Sequence, residues 1–500
     1  MKVLKNIILI FVLILSVSSN ILLAQKSKSS SDLQSIKYED ILQTIGYLSS
    51  AKFKGRLPGT AEYDQAARYV ATRLKSAGVK PINQPSMLQY FNDEVNIIKD
   101  AQLLLLNEGT KSFQIFKLGE DFVCRGFSGS GNIKAEVVFA GFGIRTDEYN
   151  DYRSIDVKGK IVLVYKSAPP WDPTTGSWGD TSPRAKARIA KELGAKAIIF
   201  MADPKIFPST MIYGSIACGE GPHLPDFPMI QIGSSVTDSI FAKLSMKPME
   251  YYEQIVKDKA PHSTETEQLL MININADYTP EKQTANVVGF IEGTDSKLKS
   301  EFIILGAHLD HVGYQTENVL FPGANDNASG VASLISIADA LHKSGVKLKR
   351  SVIFVAFSSE ESGLKGSKYF VNNSPVDLSK AVAMMNFDCV GQGDSINING
   401  KLSFPKLWKK AKKIDKKHIK LLSNRSFGGG GGDATAFYNA NIPTLYFSAT
   451  NGYKFIHQTT DKAETINNQL VEKITKLGFL MTIELANGKY EGETDKLKKQ

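Results

Sequence analysis

Residues 301–310 read EFIILGAHLD, an apolar stretch that ends in His308 and Asp310. Residues 351–361, SVIFVAFSSEE, repeat this arrangement and end in a pair of glutamates, and a third apolar run, 381–388, ends in Asp388. Strands made of continuous apolar residues are buried on both faces, as in a mostly parallel or mixed sheet. Open α/β sheets place their active sites at the carboxyl ends of such strands. We therefore expect these polar residues to meet at one edge of a sheet.

The segments around these strands extend the α/β pattern. The catalytic unit is predicted to occupy 25–121 and 263–490, with a smaller α/β insert at 122–262. Within these units the spacing of apolar residues predicts strands near 95–106, 113–117, 135–142, 160–165, 197–200, 286–291 and 444–448, and helices at 184–193, 330–344 and 408–417. Residues 32–107 also open with two amphipathic helices that are separated by the loop 55–60.

The composition is that of a globular chain of two or three domains, with 500 residues, 42% hydrophobic and 22% charged. A net charge of +9 is mild for this length, so we expect no nucleic-acid partner. Three cysteines exclude a scaffold built on disulfides. Two arrangements remain open: a Cys124–Cys218 disulfide with Cys389 free, or three buried thiols.

The first residues are typical of an export signal. Lys2 and Lys5 precede the apolar run Ile7–Leu15, and small and polar residues then lead to Ala24. The run is too short to span a bilayer, which takes about 20 residues. We predict a signal peptide at 1–24, a periplasmic or extracellular product, and no stable membrane anchor after cleavage. The charged residues 491–500 are predicted to fray.

Six acidic and histidine residues carry the candidate chemistry. Singly, each has a structural explanation, such as a helix cap, a solvated pair or a structural histidine. Together, nitrogen and oxygen ligands without thiolate suit zinc, cobalt or manganese. Five ligands and one spare acid fit two metal ions better than one. The residues are His308, Asp326, Glu360, Glu361, Asp388 and His457. Asp310, two residues from His308, can accept the free ring N–H and fix the tautomer.

The order His-x-Asp, Gly-Ala-x-Asp-Asn, Glu-Glu-x-Gly-Leu-x-Gly-Ser, Asp and His resembles the co-catalytic di-zinc aminopeptidase family. Bacterial leucyl aminopeptidase and glutamate carboxypeptidase II belong to that family. Three further stretches carry the resemblance: Gly55-Arg56-x-Pro58-Gly59-Thr60, Asn286-Val287-Val288-Gly289, and Gly432-Asp433 with Phe437 and Ile442-Pro443. In the middle of the chain, 156–164 and 194–197 resemble a protease-associated (PA) domain.

The resemblance implies a zinc-exopeptidase-type α/β fold, with a mixed, mostly parallel sheet flanked by helices and an inserted PA-like domain. It also implies a role for each site residue. His308 and Asp388 bind one Zn²⁺, Glu361 and His457 bind the other, and Asp326 bridges the two ions. Glu360 is the general base that deprotonates the water bridging the metals and later protonates the leaving amine. Asp310 orients His308, and the peptide bond Asp326–Asn327 is cis.

The implied activity is that of an aminopeptidase acting on peptides with a free N-terminus. A carboxypeptidase or dipeptidase on the same site stays open, and it would need an arginine for the terminal carboxylate. Arg56, Arg125, Arg145 and Arg425 are the candidates. A non-catalytic receptor-like module is disfavoured because no metal ligand is missing.

Two departures from the family pattern leave questions open. Ile456 precedes His457 where some relatives have an oxyanion-stabilising tyrosine, and Tyr453 is the nearest one. The run Gly428–Gly432 is either a mobile rim of the substrate site or a plain turn.

Overall fold

The computed structural model describes residues 33–202, 214 and 221–497. The predicted signal peptide, Cys218 and the last three residues lie outside the described residues. Cys124 and Cys389 are buried free thiols.

The helices of the described residues flank one large sheet. They are α1 (Tyr38–Leu48), α2 (Ala61–Ser76), α3 (Pro183–Glu192), α4 (Ser234–Phe241), α5 (Pro248–Asp258), α6 (Ser329–Ser344), α7 (Lys365–Asn372), α8 (Pro405–His418), α9 (Ala434–Asn439) and α10 (Asn468–Asn487). None of them is long and apolar enough to cross a membrane.

The strands belong to a single mixed sheet. They are β1 (Leu88–Asn107), β2 (Ser112–Phe116), β3 (Phe122–Cys124), β4 (Gly131–Phe139), β5 (Ile161–Tyr165), β6 (Ala197–Met201), β7 (Met229–Ile232), β8 (Thr264–Ile291), β9 (Phe302–His308), β10 (Tyr314–Gln315), β11 (Val319–Leu320), β12 (Ser351–Phe357), β13 (Ala381–Phe387), β14 (Ser395–Asn399) and β15 (Thr444–Thr450).

The sheet runs in the order β14-β15-β13-β9-β12-β8-β4-β5-β6-β7-β3. The neighbours β12, β9, β13 and β15 are parallel, and so are β4, β5, β6 and β7. The two parallel groups are joined through β8, which pairs antiparallel with β12 and with β4. This architecture confirms the predicted fold class.

A long two-stranded ribbon connects the two groups of strands. Strands β1 and β8 pair antiparallel from Leu88↔Val287 to Leu106↔Leu269. The other edge of β8 pairs with β4 along its first half and with β12 along its last residues. The sequence predicted only 286–291 of β8, because polar residues interrupt the apolar pattern before that segment. The domain boundaries at 121 and 263 stay a prediction.

Apolar cores cover both faces of each parallel group. In the group of β12, β9, β13 and β15, one face is packed by α1, α2, α6 and α10, and the other by α7 and α9. Two further cores cover the faces of the group β4–β7. Burial of this kind, at roughly 25 cal/mol per Å² of apolar surface, makes the strands a rigid platform for the residues that follow them.

The described part of the charged C-terminal segment is held in place, so the prediction that it frays is wrong for 491–497. The carboxylate of Glu493 accepts the backbone N–H groups of Lys406 and Leu407 at the start of α8. Asp495 accepts a hydrogen bond from the Tyr438 hydroxyl at 2.5 Å. These acidic residues find helix N–H and hydroxyl donors that composition alone does not reveal.

Candidate metal centre

The parallel strands bring the predicted ligands to one edge of the sheet. His308 is the last residue of β9 and lies beside Phe357, the last residue of β12. Glu360 and Glu361 follow β12, and Asp388 follows β13 directly. The sheet thus collects residues that are up to 80 positions apart in sequence at the carboxyl ends of neighbouring strands.

Asp326 enters from a distorted turn, Ala324–Ala328, at the start of α6. The peptide bond Asp326–Asn327 is cis. The backbone N–H groups of Asn325 and Asp326 both donate to the carboxylate of Asp461, at 3.0 Å each. The sequence analysis missed Asp461, because a lone aspartate in a polar turn gives no signal of this role.

The two carboxylate oxygens of Asp326 face different histidines. Its Oδ1 lies 3.2 Å from Nε2 of His308, and its Oδ2 lies 3.1 Å from Nε2 of His457. His308 Nε2 is also 3.4 Å from Asp388 Oδ1, and His457 Nε2 is 2.8 Å from Glu361 Oε2. Two groups of potential ligands therefore meet at one carboxylate, in the pairing that the family resemblance implied. The role of each residue stays a prediction.

Asp310 is fully buried and contacts the site with both its main chain and its side chain. The Nδ1–H of His308 donates to the Asp310 carbonyl oxygen at 3.1 Å, whereas the Asp310 carboxylate lies 3.7 Å away. This bond leaves Nε2 of a neutral His308 free as a ligand atom. The Asp310 carboxylate accepts the backbone N–H groups of Glu360 and Glu361, each at 3.1 Å. Asp310 thus contacts His308 through its backbone and fixes the glutamate pair through its side chain.

His311 is a site residue that the sequence analysis missed. Its ring is buried, with Nδ1 2.9 Å from Glu361 Oε1 and 3.7 Å from Asp326 Oδ2. It belongs with Asp326, Glu361 and His457 to one group of side chains that could hold a metal ion. The available signal was its place directly after His308-Leu309-Asp310.

Asp388 is enclosed by residues from the end of the chain. The Tyr446 hydroxyl donates to Asp388 Oδ2 at 2.9 Å and lies 3.3 Å from the Tyr453 hydroxyl. Gly432 has a φ of 46°, and a Cβ there would come within 2.9 Å of Asp388 Oδ2. The last glycine of the run 428–432 therefore permits a close approach to this carboxylate. Sequence spacing gave no indication of Tyr446.

The crowding of carboxylates sets the proton affinities of the site. Burial, together with Glu361 and Asp388, raises the pKa of Glu360 well above its usual range, against the opposing charge of His308. Burial lowers the pKa of His308, but Glu360 and Asp388 outweigh it and raise the pKa well above its usual range. His457 shows the same direction, with the charge of Glu361 outweighing burial. His308, His457 and Glu360 therefore hold a proton more firmly than the same groups do in water.

The four candidate arginines lie in different surroundings. Arg56 is fully buried and donates to backbone carbonyls beside the ligands, including those of Leu309 and Gly323. Arg125 is buried and donates to a glutamine of the insert, and Arg145 is an exposed residue there. Arg425 lines a cavity together with Tyr453, whose hydroxyl approaches that of Tyr446.

Comparison with known proteins shows what the chain resembles. Residues 286–481 match the model of peptidase family M28, and residues 133–240 match that of the PA domain. Aminopeptidase YwaD of Bacillus subtilis (strain 168) is 25% identical over 488 residues, which cover 93% of this chain and 88% of that protein. A glutamate carboxypeptidase 2 homolog of Caenorhabditis elegans is 25% identical over 328 residues, covering 55% of this chain and 40% of that protein.

The solved structure of BSAP, a zinc aminopeptidase from Bacillus subtilis, has the same fold. Its TM-score is 0.60 at 21% identity, over 92% of this chain and 97% of that one. The predictions of the family, the fold and a metallo-exopeptidase acting on peptides are confirmed at this level. Residues 286–481 are thus similar to peptidase family M28, and the segment similar to a PA domain, 133–240, precedes them.

Proposed function

We propose that this chain is an exported di-zinc aminopeptidase that removes residues from peptides with a free N-terminus. The observation that carries the proposal is that Asp326 faces both of two groups of potential ligands, with Oδ1 3.2 Å from His308 Nε2 and Oδ2 3.1 Å from His457 Nε2. One group contains His308, Glu360 and Asp388, and the other contains His311, Asp326, Glu361 and His457. A carboxylate that faces a histidine with each oxygen is suited to bridge two metal ions.

The charge of the site fits two divalent cations. Its carboxyl groups outnumber its one buried guanidinium, that of Arg56, by a wide margin. They are Asp310, Asp326, Glu360, Glu361, Asp388, Asp433 and Asp461. Buried carboxylates without compensating charge are strongly unfavourable, so the cluster calls for cations or protons. The two groups of potential ligands described above contain imidazole and carboxylate donors and no thiolate, and such donors suit Zn²⁺.

His308 and Asp388 would hold one Zn²⁺, Glu361 and His457 the other, with Asp326 shared. When bound, such ions polarise the scissile carbonyl and make water a better nucleophile near neutral pH. The chain's own residues then position and move protons. Glu360 takes the proton of the attacking water and returns it to the leaving amine, which is the task of a positioned general base and acid. The Asp310 carboxylate holds Glu360 in place by accepting a hydrogen bond from the Glu360 backbone N–H.

Export is proposed from the N-terminal sequence alone. Two lysines, an apolar run and a small residue at Ala24 form the pattern of a cleaved signal. N-terminal sequencing of the protein recovered from the periplasm or medium is expected to show that the mature chain begins at Gln25. Recovery of uncleaved protein from the cytoplasm would overturn this part of the proposal.

The activity is tested by hydrolysis of short peptides with free and with acetylated N-termini. We expect cleavage of the free-amine peptides alone and two zinc ions per chain by metal analysis. Glu360→Gln is expected to keep both ions and to lower kcat by at least about 100-fold, since a positioned general base typically contributes 10² to 10⁴. The matched control is Glu281→Gln, because Glu281 is an exposed glutamate of β8.

The alternative activities give different results in the same assay. Cleavage of acetylated peptides from their C-termini would replace the aminopeptidase with a carboxypeptidase on the same site. Two bound zinc ions without cleavage of any peptide would overturn the proposed activity.

A further inference from the structure

A cavity of about 480 Å³ lies beside the metal centre, over the edge of the sheet formed by β14 and β15. Tyr453 lines this cavity, and its hydroxyl lies 3.3 Å from that of Tyr446. Tyr446 in turn donates to Asp388 at 2.9 Å. A group bound in the cavity is therefore two side chains away from a candidate metal ligand.

The cavity is lined by cations and by no carboxylate. Arg425 comes from the segment before the glycine run, and Lys454 comes from the segment that leads to His457. Both side chains are exposed, and neither forms an ion pair with a carboxylate of the described residues. Two cations without counter-ions, facing one cavity, create a positive potential that attracts an anionic group.

The remaining lining is suited to hold an organic ligand. Phe427 and Tyr453 expose 61% and 45% of their surface, so large apolar faces are open beside the cations. Exposed aromatic rings beside cations are typical of a binding site rather than of a packed core.

We propose that this cavity binds a carboxylate of the peptide substrate, so that the enzyme prefers substrates that carry an acidic group next to the cleaved bond. The inference rests on the proposed function, because it assumes that a peptide occupies the metal centre. Carboxylate is the anionic group that unmodified peptides carry, and arginine pairs with it through two parallel hydrogen bonds. The carboxylate is either that of an acidic first side chain or the C-terminal one, and the experiment distinguishes these sources.

The test compares kcat/KM for amidated peptides that differ only in their first residue, Glu or Gln. The zinc-loaded full chain is expected to prefer Glu by at least about fivefold. Arg425→Gln is expected to bring this ratio close to one, and high salt is expected to reduce it. Lys416→Gln is the control, since Lys416 is an exposed residue of α8 that does not line the cavity.

A second arm uses the same peptides with a free C-terminal carboxylate. If the preference follows the free C-terminus and disappears in Arg425→Gln, the cavity binds the C-terminal carboxylate. That result supports the assignment of the cavity to a substrate carboxylate, with the C-terminus and not the first side chain as its source. If neither carboxylate changes kcat/KM by more than twofold, the assignment is overturned.

A binding measurement separates this inference from the proposed function. Calorimetry with Glu360→Gln, which is expected not to turn over, compares the affinities for the Glu and Gln peptides. Tighter binding of the carboxylate peptide, by about fivefold or more, supports the cavity assignment even if the wild type cleaves neither peptide. Equal affinities overturn it whatever the activity.

Discussion

Replacing Arg56 by lysine is expected to destabilise the fold and to loosen the metal centre at the same time. The buried guanidinium of Arg56 donates to the carbonyl oxygens of Leu309 (2.7 Å), Leu48, Pro322 and Gly323 (2.8 Å each). Leu309 follows a candidate ligand directly, and Gly323 precedes the turn that carries another. One side chain from the start of the chain thus fixes the backbone on both sides of the centre.

The size of the effect follows from the number of bonds that lysine can keep. An ammonium group has three donors on one nitrogen, so it reaches about two of the four carbonyls that the guanidinium fork serves. Each hydrogen bond from a charged donor contributes about 1.5–3 kcal/mol, so the loss is about 3–6 kcal/mol. For a cooperative unit of about 300 residues this lowers Tm by roughly 5–10 °C.

The assay compares two buried arginines. Arg350 is also buried, and it donates to Glu301 at 2.7 Å and to the carbonyls of Leu485 and Gly488 at 3.0 Å, away from the metal centre. Arg350→Lys is expected to lower Tm as well. Only Arg56→Lys is expected to release zinc faster to a chelator, by about tenfold, as is typical when a residue that orients metal ligands is lost.

Two results would refute this reasoning. A change in Tm of less than about 1 °C in Arg56→Lys would mean that the four bonds contribute little to stability. Equal rates of zinc release in the Arg56 and Arg350 variants would mean that Arg56 does not act on the ligands, even if both variants are less stable.

Three further predictions concern the ligands themselves. His311→Ala is expected to weaken binding of one metal by about 10- to 100-fold, because it frees the Glu361 carboxylate; two sites of unchanged affinity in a zinc titration would contradict this. Gly432→Ala is expected to lower zinc affinity and Tm together, since its Cβ would meet a ligand oxygen at a positive φ, and a variant that binds and melts like the wild type would argue against that contact. Zinc binding to chelator-treated enzyme at pH 7 is expected to release protons, because the pKa values of His308 and His457 are raised and both rings must lose a proton to bind metal. Zinc affinity is therefore expected to fall as pH decreases. Calorimetry in two buffers of different ionisation enthalpy would contradict this prediction if it detected no proton release.

The sequence predicted the edge of the sheet at which the site lies, because buried parallel strands have a strong apolar signature. His308 and Asp388 end or directly follow such strands, and the structure brings them within 3.4 Å of each other. The pairing of the ligands came from the family resemblance and not from strand pattern. No local rule brings together two candidate ligands that are 80 positions apart in the sequence.

The residues that sequence reasoning missed act through tertiary contacts. Asp461 holds the backbone of Asn325 and Asp326, and Tyr446 donates to Asp388, yet neither belongs to a local pattern. The long ribbon of β1 and β8 was predicted only in part, at 95–106 and 286–291, for a related reason. Its strands contain polar residues that are acceptable only because a partner strand pairs with them along their whole length.

Residues ahead of the matched peptidase segment contact the chain around the candidate metal centre. Gln315, in β10 between β9 and the turn of Asp326, accepts the backbone N–H of Cys124 at 2.9 Å and donates to its carbonyl at 2.6 Å. The N–H of Gly214 donates to the carbonyl oxygen of His457 at 2.8 Å. His457 itself has a φ of 53°, a backbone conformation that costs about 1–3 kcal/mol and persists only when neighbouring contacts hold it. Because these contacts reach Gln315 and the candidate ligand His457, removal of the segment that carries Cys124 and Gly214 is expected to disturb the candidate metal centre.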